Sequence, residues 1–309
     1  MLTLALNPRT LRTPIRLTGP GLFAPVPCTV TLNPAPPGSG ITFRRTDLAD
    51  QPIIRADARH VFTPSPEACR DAARHTVVQP APGKPGVHTV EHVLSALWGM
   101  GITDAHCDVN GPEIPMLDAS ALAFARAIAE AGVAEPSKND SRHAEPIIVD
   151  EAFELRGQTC KSDSDTPRIT IEPSDGPTLE LHYHLDYGPS AGPVLGPQSA
   201  SFTLNWQEPD TRAYIAAVAP ARTFCTRAEA ESFRAAGFFA HLAPGDVLIA
   251  GPDGPVETAL RMPTEPAVHK LLDLIGDLAL AGRPVYAKVT AWKSGHTLNH
   301  ELARRLMDQ

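Results

Sequence analysis

The sequence has few of the features that would place it in a membrane or on a polyanion. Its longest apolar stretches, such as residues 93–100, fall far short of the ~20 residues that a membrane-spanning helix needs. Residues 1–10 lack the charged and apolar segments of a signal peptide. The formal net charge of -8 leaves no basic field that could hold nucleic acid. We therefore expect a cytoplasmic protein with no integral membrane segment and no nucleic-acid partner.

Cysteine is also scarce. The chain has five cysteines, which are widely spaced and form no C-x-x-C pair: Cys28, Cys69, Cys107, Cys160 and Cys225. This pattern argues against a disulfide framework and against a thiolate zinc site. A metal site would have to be built from histidine and carboxylate side chains. Proline, by contrast, is abundant, with 32 residues that gather in stiff segments such as 33–40 and 79–86.

The length of 309 residues favours two domains over one large core. A polar, charged break at residues 137–141 places the boundary between a domain of residues 1–140 and a domain of residues 141–309. Apolar periodicity predicts helices at 89–99, 119–131, 266–281 and 296–307, and strands near 28–32, 146–149, 169–172 and 179–185. Because strands precede helices in each half, the sequence predicts the α+β class rather than a doubly wound sheet.

The predicted helix at 266–281 carries His269, Asp273 and Asp277 at four-residue spacing. This spacing stacks side chains on one side of a helix. His269 and Asp273 could therefore bind one ion through an imidazole nitrogen and a carboxylate oxygen, and a catalytic zinc needs a third protein ligand and a water. The alternative is a solvated polar stripe on an amphipathic helix.

The first half offers His92 as the third ligand. Glu91 precedes it, and adjacent helical residues point ~100° apart, so Glu91 could reach a water beside the ion and act as a general base. His88, one turn earlier, competes with His92 for the ligand role.

A further histidine, His296, follows Gly295 at a predicted helix start. A carboxylate partner such as Asp277 would stabilise its imidazolium and make it a proton donor for a leaving amine. The alternatives are a histidine that serves in capping or packing, and His300 as a rival zinc ligand together with His296.

Five segments stand in an order and spacing that match a known family. They are TVEH at 89–92, GPEIPMLD at 111–118, ARTF at 221–224, HKLLDLIGD at 269–277 and KSGHTLN at 293–299. The chain resembles, over nearly its whole length, the UDP-3-O-acyl-N-acetylglucosamine deacetylase family, which removes an acetyl group early in lipid A biosynthesis. The resemblance implies a cytoplasmic, metal-dependent amide hydrolase acting on a UDP-linked acylated N-acetylglucosamine. It also implies two similar α+β domains, with helices packed between two sheets and the active site between the domains.

The resemblance also assigns roles to individual residues. Zinc would be bound by His92, His269 and Asp273, although iron could occupy the same set of ligands. Glu91 would be the general base, and His296, oriented by Asp277, the general acid. Thr223 would hydrogen-bond the oxyanion. The substrate-binding residues would be Lys270 and Lys293 near the phosphates, Tyr187 against the uracil, and Phe224.

The chain departs from the family pattern around the substrate. Phe23 stands where a histidine is usual, Cys225 replaces a glycine and Val268 replaces an arginine. Residues 238–244 replace a glycine-rich stretch in the insert that is expected to form the acyl-chain passage. We expect Phe238 and Phe239 either to alter acyl-length preference or to pack inward. The departures leave two other functions open: a zinc deacetylase of another N-acyl sugar, and a catalytically silent relative that binds a nucleotide-sugar or a protein.

Overall fold

The computed structural model describes residues 6–63, 75–135, 145–157 and 166–309. It confirms the α+β class, with one large mixed sheet in each half of the described chain. Within the described residues, no helix is both long enough and apolar enough to cross a membrane. The predicted break at 137–141 lies outside the described residues, so the division into 1–140 and 141–309 stays a prediction.

In the first half, the described residues form a five-stranded sheet and two helices. Its elements are β1 (Thr10–Leu11), β2 (Ile15–Pro20), β3 (Pro27–Pro34), β4 (Ile41–Arg45), β5 (Ile53–Arg55), β6 (Val77–Val78), β7 (Val87–His88), α1 (Glu91–Gly99), β8 (Ala105–Val109), α2 (Leu122–Ala131) and β9 (Val133–Ala134). The strand order of the sheet is β2-β3-β8-β4-β5. Strand β8 runs antiparallel to β3 and parallel to β4.

The second half repeats this arrangement in a larger sheet. Its strands are β10 (Ile147–Ile148), β11 (Phe153–Arg156), β12 (Arg168–Glu172), β13 (Thr178–Leu185), β14 (Gln198–Asn205), β15 (Phe224–Thr226), β16 (Leu248–Ala250), β17 (Pro255–Val256) and β18 (Val285–Trp292). Its helices are α3 (Thr211–Ala217), α4 (Arg227–Ala235), α5 (Glu265–Leu278) and α6 (His296–Met307). The order is β11-β12-β18-β13-β14, with β10 beside β18, and β18 runs antiparallel to β12 and parallel to β13.

The two sheets therefore share strand order and strand directions. In both, the central strand follows a helix, so the expectation that strands simply precede helices in each half was wrong. Strand β18 was missed because its sequence, VYAKVTAW, mixes small and polar residues into a largely buried strand. The short elements β15, β16 and β17 form a separate small sheet beside α4, which we call the insert.

The helix starts differ from the predicted ones for a backbone reason. Helix α1 begins at Glu91 rather than at 89, because Thr89 has a φ of 57° that no α-helix accepts. Helix α2 begins at Leu122 rather than at 119, since Ala119 has the same φ of 57°. Helix α5 continues into a 3₁₀ turn at Ala279–Ala281 and ends at Gly282 in the left-handed region, as predicted.

Helices α1 and α5 pack against each other at very close range. A Cβ atom on Gly276 of α5 would lie 2.0 Å from the backbone oxygen of Glu91. Only glycine permits this approach. Helix α1 is buried on all sides, including Val93, Leu94 and Leu97, as expected for a helix enclosed by other elements. This contact places the Glu-His pair at the start of α1 close to the His-Asp face of α5.

Candidate active site

Three side chains from both halves of the chain form one buried cluster. His92 lies in the first turn of α1, and His269 and Asp273 lie one turn apart on α5. One ligand atom from each lies within 4.8 Å of the others. Asp273 Oδ1 is 3.3 Å from His269 Nε2 and 3.8 Å from His92 Nε2. The structure thus brings together the three residues that the sequence analysis singled out as metal ligands.

The chemistry of this cluster fits a divalent metal ion. Burial lowers the pKa of both histidines, that of His92 to about 3, so both imidazoles are neutral. The Nδ1–H of His269 donates to the carbonyl oxygen of Ala221 at 3.1 Å, so Nε2 keeps its lone pair. Asp273 Oδ1 is buried and has no hydrogen-bond partner among the described residues. Two neutral nitrogens and a carboxylate oxygen form a donor set that zinc or iron accepts.

Glu91 stands beside this cluster and lines the same cleft. Its Oε2 accepts a hydrogen bond of 3.0 Å from the backbone N–H of Thr76. Burial raises the pKa of Glu91 to about 8; the charge of His296 opposes this shift and that of Asp273 adds to it. A carboxylate whose pKa has moved toward neutrality is suited to accept and return a proton.

His296, which also lines the cleft, forms a buried pair with Asp277. His296 Nδ1 donates to Asp277 Oδ2 at 2.8 Å, and its Nε2 lies 3.8 Å from Asp273 Oδ2. Burial lowers the pKa of His296, but the charge of Asp277 and its hydrogen bond outweigh burial and raise that pKa to about 9. The imidazolium is therefore the stable form at neutral pH. Asp277 also accepts from Asn299 Nδ2 at 2.9 Å, which fixes the carboxylate.

The backbone of Thr223 is held between the two halves of the chain. Its N–H donates to the carbonyl oxygen of Ala119 at 2.7 Å, and its own carbonyl accepts from Leu248 at 2.9 Å. The preceding Arg222 is buried and its Nε donates to Glu265 Oε1 at 2.8 Å. The ARTF segment therefore contains an arginine in a buried ion pair, followed by a threonine that lines the cleft.

A cleft of about 580 Å³ connects these groups. This volume is in the usual range for small-molecule sites, ~300–1,000 Å³. The residues predicted for catalysis, metal binding and substrate binding that line it are Glu91, His92, Tyr187, Thr223, Phe224, His269, Lys270, Asp273, Lys293 and His296. Asp277 lies behind His296 and is fully buried.

The cationic and aromatic side chains predicted to bind substrate all line the cleft, and Lys270 Nζ donates to Asp273 Oδ2 at 2.8 Å. Lys270 Nζ lies 5.7 Å from the ring centroid of Phe224, and the ring of Tyr187 is 5.9 Å from that of Phe224. Tyr187 is 53% exposed. Lys293 Nζ lies 3.2 Å from Asp186 Oδ2. The two lysines and the exposed ring of Tyr187 offer sites for phosphate groups and for a flat ring.

The rival histidines have other contacts. His88 lies on β7, where its Nδ1 is 3.1 Å from His75 Nε2, and it is not part of the ligand cluster formed by the described residues. His300 Nε2 lies 3.2 Å from Asp277 Oδ1. With His296 it makes a second group of ligand-type atoms around Asp277.

A loop at residues 21–24 forms one wall of the cleft through Leu22. Glu113 holds this loop by accepting the backbone N–H groups of Leu22 and Ala24, each at 2.8 Å. The hydroxyl of Thr89 also donates to Glu113 at 2.8 Å. The glutamate of the GPEIPMLD segment therefore positions the loop that carries Phe23.

The phenylalanines of the insert pack with Phe23 in an aromatic cluster. Phe239 is 7% exposed, and its ring lies 4.8 Å from that of Phe233. Phe238 is 41% exposed, and the centroid of its ring lies 6.1 Å from that of Phe23. Neither lines the cleft described above. The structure supports the inward-packing alternative for Phe239, whereas an effect of Phe238 on acyl-length preference stays a prediction.

Several residues that support the site were not among those predicted from the sequence. Thr76 and Asn299 contact the catalytic carboxylates, and Glu113 holds the loop of Leu22. Asn299 and Glu113 fall within the matched segments, so their place there was the signal. Thr76 lies outside every segment, and no local pattern in the sequence marks it.

Comparison with known proteins agrees with this geometry. A family model described as "UDP-3-O-acyl N-acetylglycosamine deacetylase" matches residues 8–308. Proteins named UDP-3-O-acyl-N-acetylglucosamine deacetylase are similar over almost the whole chain. One from Anaeromyxobacter sp. (strain Fw109-5) is 38% identical, over 97% of this chain and 88% of its own length. One from Synechocystis sp. (strain ATCC 27184 / PCC 6803 / Kazusa) is 35% identical, over 97% and 98%.

Proposed function

Because the chain belongs to the UDP-3-O-acyl-N-acetylglucosamine deacetylase family, we propose that it removes the acetyl group of that substrate in lipid A biosynthesis. The reaction is hydrolysis of the acetamide, which yields a free amine and acetate. The observation that carries the proposal is the joint presence, in one cleft, of a His92, His269 and Asp273 cluster with Glu91 and His296.

The metal site consists of His92, His269 and Asp273. We infer zinc as its ion, with iron as the alternative that this donor set also accepts. A zinc ion bound there would polarise the acetyl carbonyl, lower the pKa of a water toward ~7 and, by its charge, lower the pKa of Glu91.

Glu91 acts as the general base. It accepts the proton of the attacking water, while its carboxylate is held by the backbone N–H of Thr76. Attack on the acetyl carbonyl places negative charge on its oxygen. Thr223 lines the cleft on an anchored backbone, and its hydroxyl can donate a hydrogen bond to that oxygen.

His296 acts as the general acid. Asp277 fixes its ring through Nδ1, so that Nε2–H is left to face the reacting group. Because the pKa of His296 is raised to about 9, the imidazolium carries a proton to the leaving sugar nitrogen. The nitrogen then departs as a neutral amine rather than as an anion.

The substrate lies with its nucleotide near Lys270, Lys293, Tyr187 and Phe224. The lysines bind the phosphates, and the exposed ring of Tyr187 packs against the uracil. The active site lies between two similar domains, a division supported by the common strand order of the two sheets. The cytoplasmic location implied by the family resemblance is part of this proposal.

Mass spectrometry of the products tests the proposed function. The purified chain is incubated with UDP-3-O-acyl-N-acetylglucosamine and, separately, with N-acetylglucosamine sugars that lack the UDP or the acyl chain. We expect the wild-type chain to deacetylate the complete substrate and the Glu91→Gln variant to lose this activity. Faster turnover of a truncated sugar would indicate a deacetylase of another N-acyl sugar. No turnover of any of them with added zinc would indicate a silent binding protein.

A further inference from the structure

The buried residue Thr76 contacts both sides of the catalytic machinery. It lies just before β6, and its side chain is fully buried. Its backbone N–H donates to Glu91 Oε2 at 3.0 Å. Its hydroxyl donates to Asp277 Oδ1 at 2.6 Å. One residue therefore holds the base in the first half of the chain and the carboxylate that orients the acid in the second.

The other contacts of Thr76 fix its position. The carbonyl oxygen of Thr76 accepts from the N–H of Val90, the residue before Glu91, at 3.3 Å. The hydroxyl oxygen also lies 2.9 Å from His300 Nε2 and 3.3 Å from His296 Nδ1. Because a hydroxyl has one proton, which the short contact assigns to Asp277, the His300 ring is the donor in its contact with Thr76.

We propose that Thr76 is a positioning residue that couples the general base to the general acid. The hydroxyl holds Asp277 and keeps the backbone N–H of the same residue directed at Glu91. This couples the two proton-transfer groups across the α1–α5 contact. The inference rests on the proposed function for the roles of Glu91 and His296, whereas the contacts themselves do not depend on it.

The hydroxyl can be removed with little change of volume. In Thr76→Val we expect kcat to fall roughly 10- to 100-fold, which corresponds to about 1.4–2.8 kcal/mol. KM should change little, because Thr76 does not line the cleft. Thr76→Ser keeps the hydroxyl and should restore most of kcat.

A matched control is Thr103→Val. The hydroxyl of Thr103 also donates to a buried carboxylate, Asp104 Oδ2, at 2.7 Å, but lies outside the cleft. We expect wild-type kcat in this variant. A double-mutant cycle with Asp277→Asn should show that the Thr76→Val loss shrinks when Asp277 is already altered. Additive losses, or a Thr76→Ser variant as slow as Thr76→Val, would overturn the proposal.

A second readout does not require activity. The Nδ1 proton of His296, bonded to Asp277, is followed by NMR and assigned by its loss in His296→Gln. In Thr76→Val, Asp277 loses one donor, so its bond to His296 strengthens and the resonance moves downfield. In Thr76→Ser it should stay in place. An unmoved resonance in a folded Thr76→Val overturns the inference, whereas an inactive wild type with the expected shift overturns the proposed function alone.

Discussion

Replacing Gly276 by alanine tests whether the close packing of α1 on α5 builds the active site. The added Cβ would lie 2.0 Å from the backbone oxygen of Glu91 and 2.8 Å from its carbonyl carbon, whereas ordinary contacts begin at 3.4 Å. Neither helix backbone can rotate away as a side chain could. The helices must therefore separate by roughly 1 Å, which moves Glu91 and His92 away from His269 and Asp273.

The expected losses of stability and activity are of different size. Overpacking costs about 1–3 kcal/mol, and the better helix propensity of alanine offsets about 1 kcal/mol of this. The free energy of unfolding should therefore fall by only about 1 kcal/mol. A displacement of roughly 1 Å in a catalytic group can lower the rate on the order of 100-fold. We expect kcat of Gly276→Ala to fall by about that factor, with weakened metal binding.

The assay combines three measurements on the same preparations: urea unfolding, bound metal per chain and kcat. Gly176→Ala is the control, because a Cβ there meets nothing within 4 Å. It should match the wild type in all three. Gly276→Ala with wild-type metal content and kcat would show that the helix contact does not set the catalytic geometry.

The remaining predictions concern the metal ligands, the buried ion pair and the insert. His269→Ala should lose most of its bound divalent metal by elemental analysis, and unchanged metal content would remove His269 from the ligand set. Arg222→Met should lower the free energy of unfolding in urea by about 3 kcal/mol at neutral pH, because it leaves Glu265 buried without its partner. Burial raises the pKa of Glu265, but the hydrogen bonds and charge of Arg222, together with the backbone N–H of Arg261, outweigh burial and lower that pKa below the unfolded value of about 4.3. The stabilisation is thus present above that pH and is lost as the pH falls through the folded pKa. The difference in the free energy of unfolding between the wild type and Arg222→Met should therefore shrink on acidification, and a constant difference would contradict this role of the ion pair. Phe239→Ala should cost about 3 kcal/mol of stability, as for a buried aromatic. Phe238→Ala should instead change the acyl-length preference of kcat/KM, and an unchanged preference would show that Phe238 does not face the lipid.

The sequence was most informative where a local pattern carries the chemistry. His269, Asp273 and Asp277 are four residues apart on one helix, so their common face follows from helix geometry alone. The meeting of α5 with Glu91 and His92 does not follow from it, because the close approach depends on Gly276 and on packing between segments far apart in the chain. That these residues meet in one site was predicted from the family resemblance.

Elements defined by long-range contacts were predicted least well. Strand β18 is central to its sheet because β12 and β13 pair with it on both sides, which its own mixed sequence does not reveal. Thr76 escaped notice for a related reason. Its importance lies in contacts with Glu91 and Asp277, 15 and 201 positions away, and a threonine before a short strand has no local signature.

Metal-dependent catalysis by Glu91 can be tested by measuring acetate release from UDP-3-O-acyl-N-acetylglucosamine while zinc is returned to chelator-treated protein. We expect the rate to rise from near zero to a plateau at one zinc per chain, and we expect Glu91→Gln to bind the same zinc but to stay inactive. A wild-type rate that is independent of added zinc would rule out the metal-dependent mechanism, and a Glu91→Gln variant that reaches the same plateau would rule out Glu91 as the base.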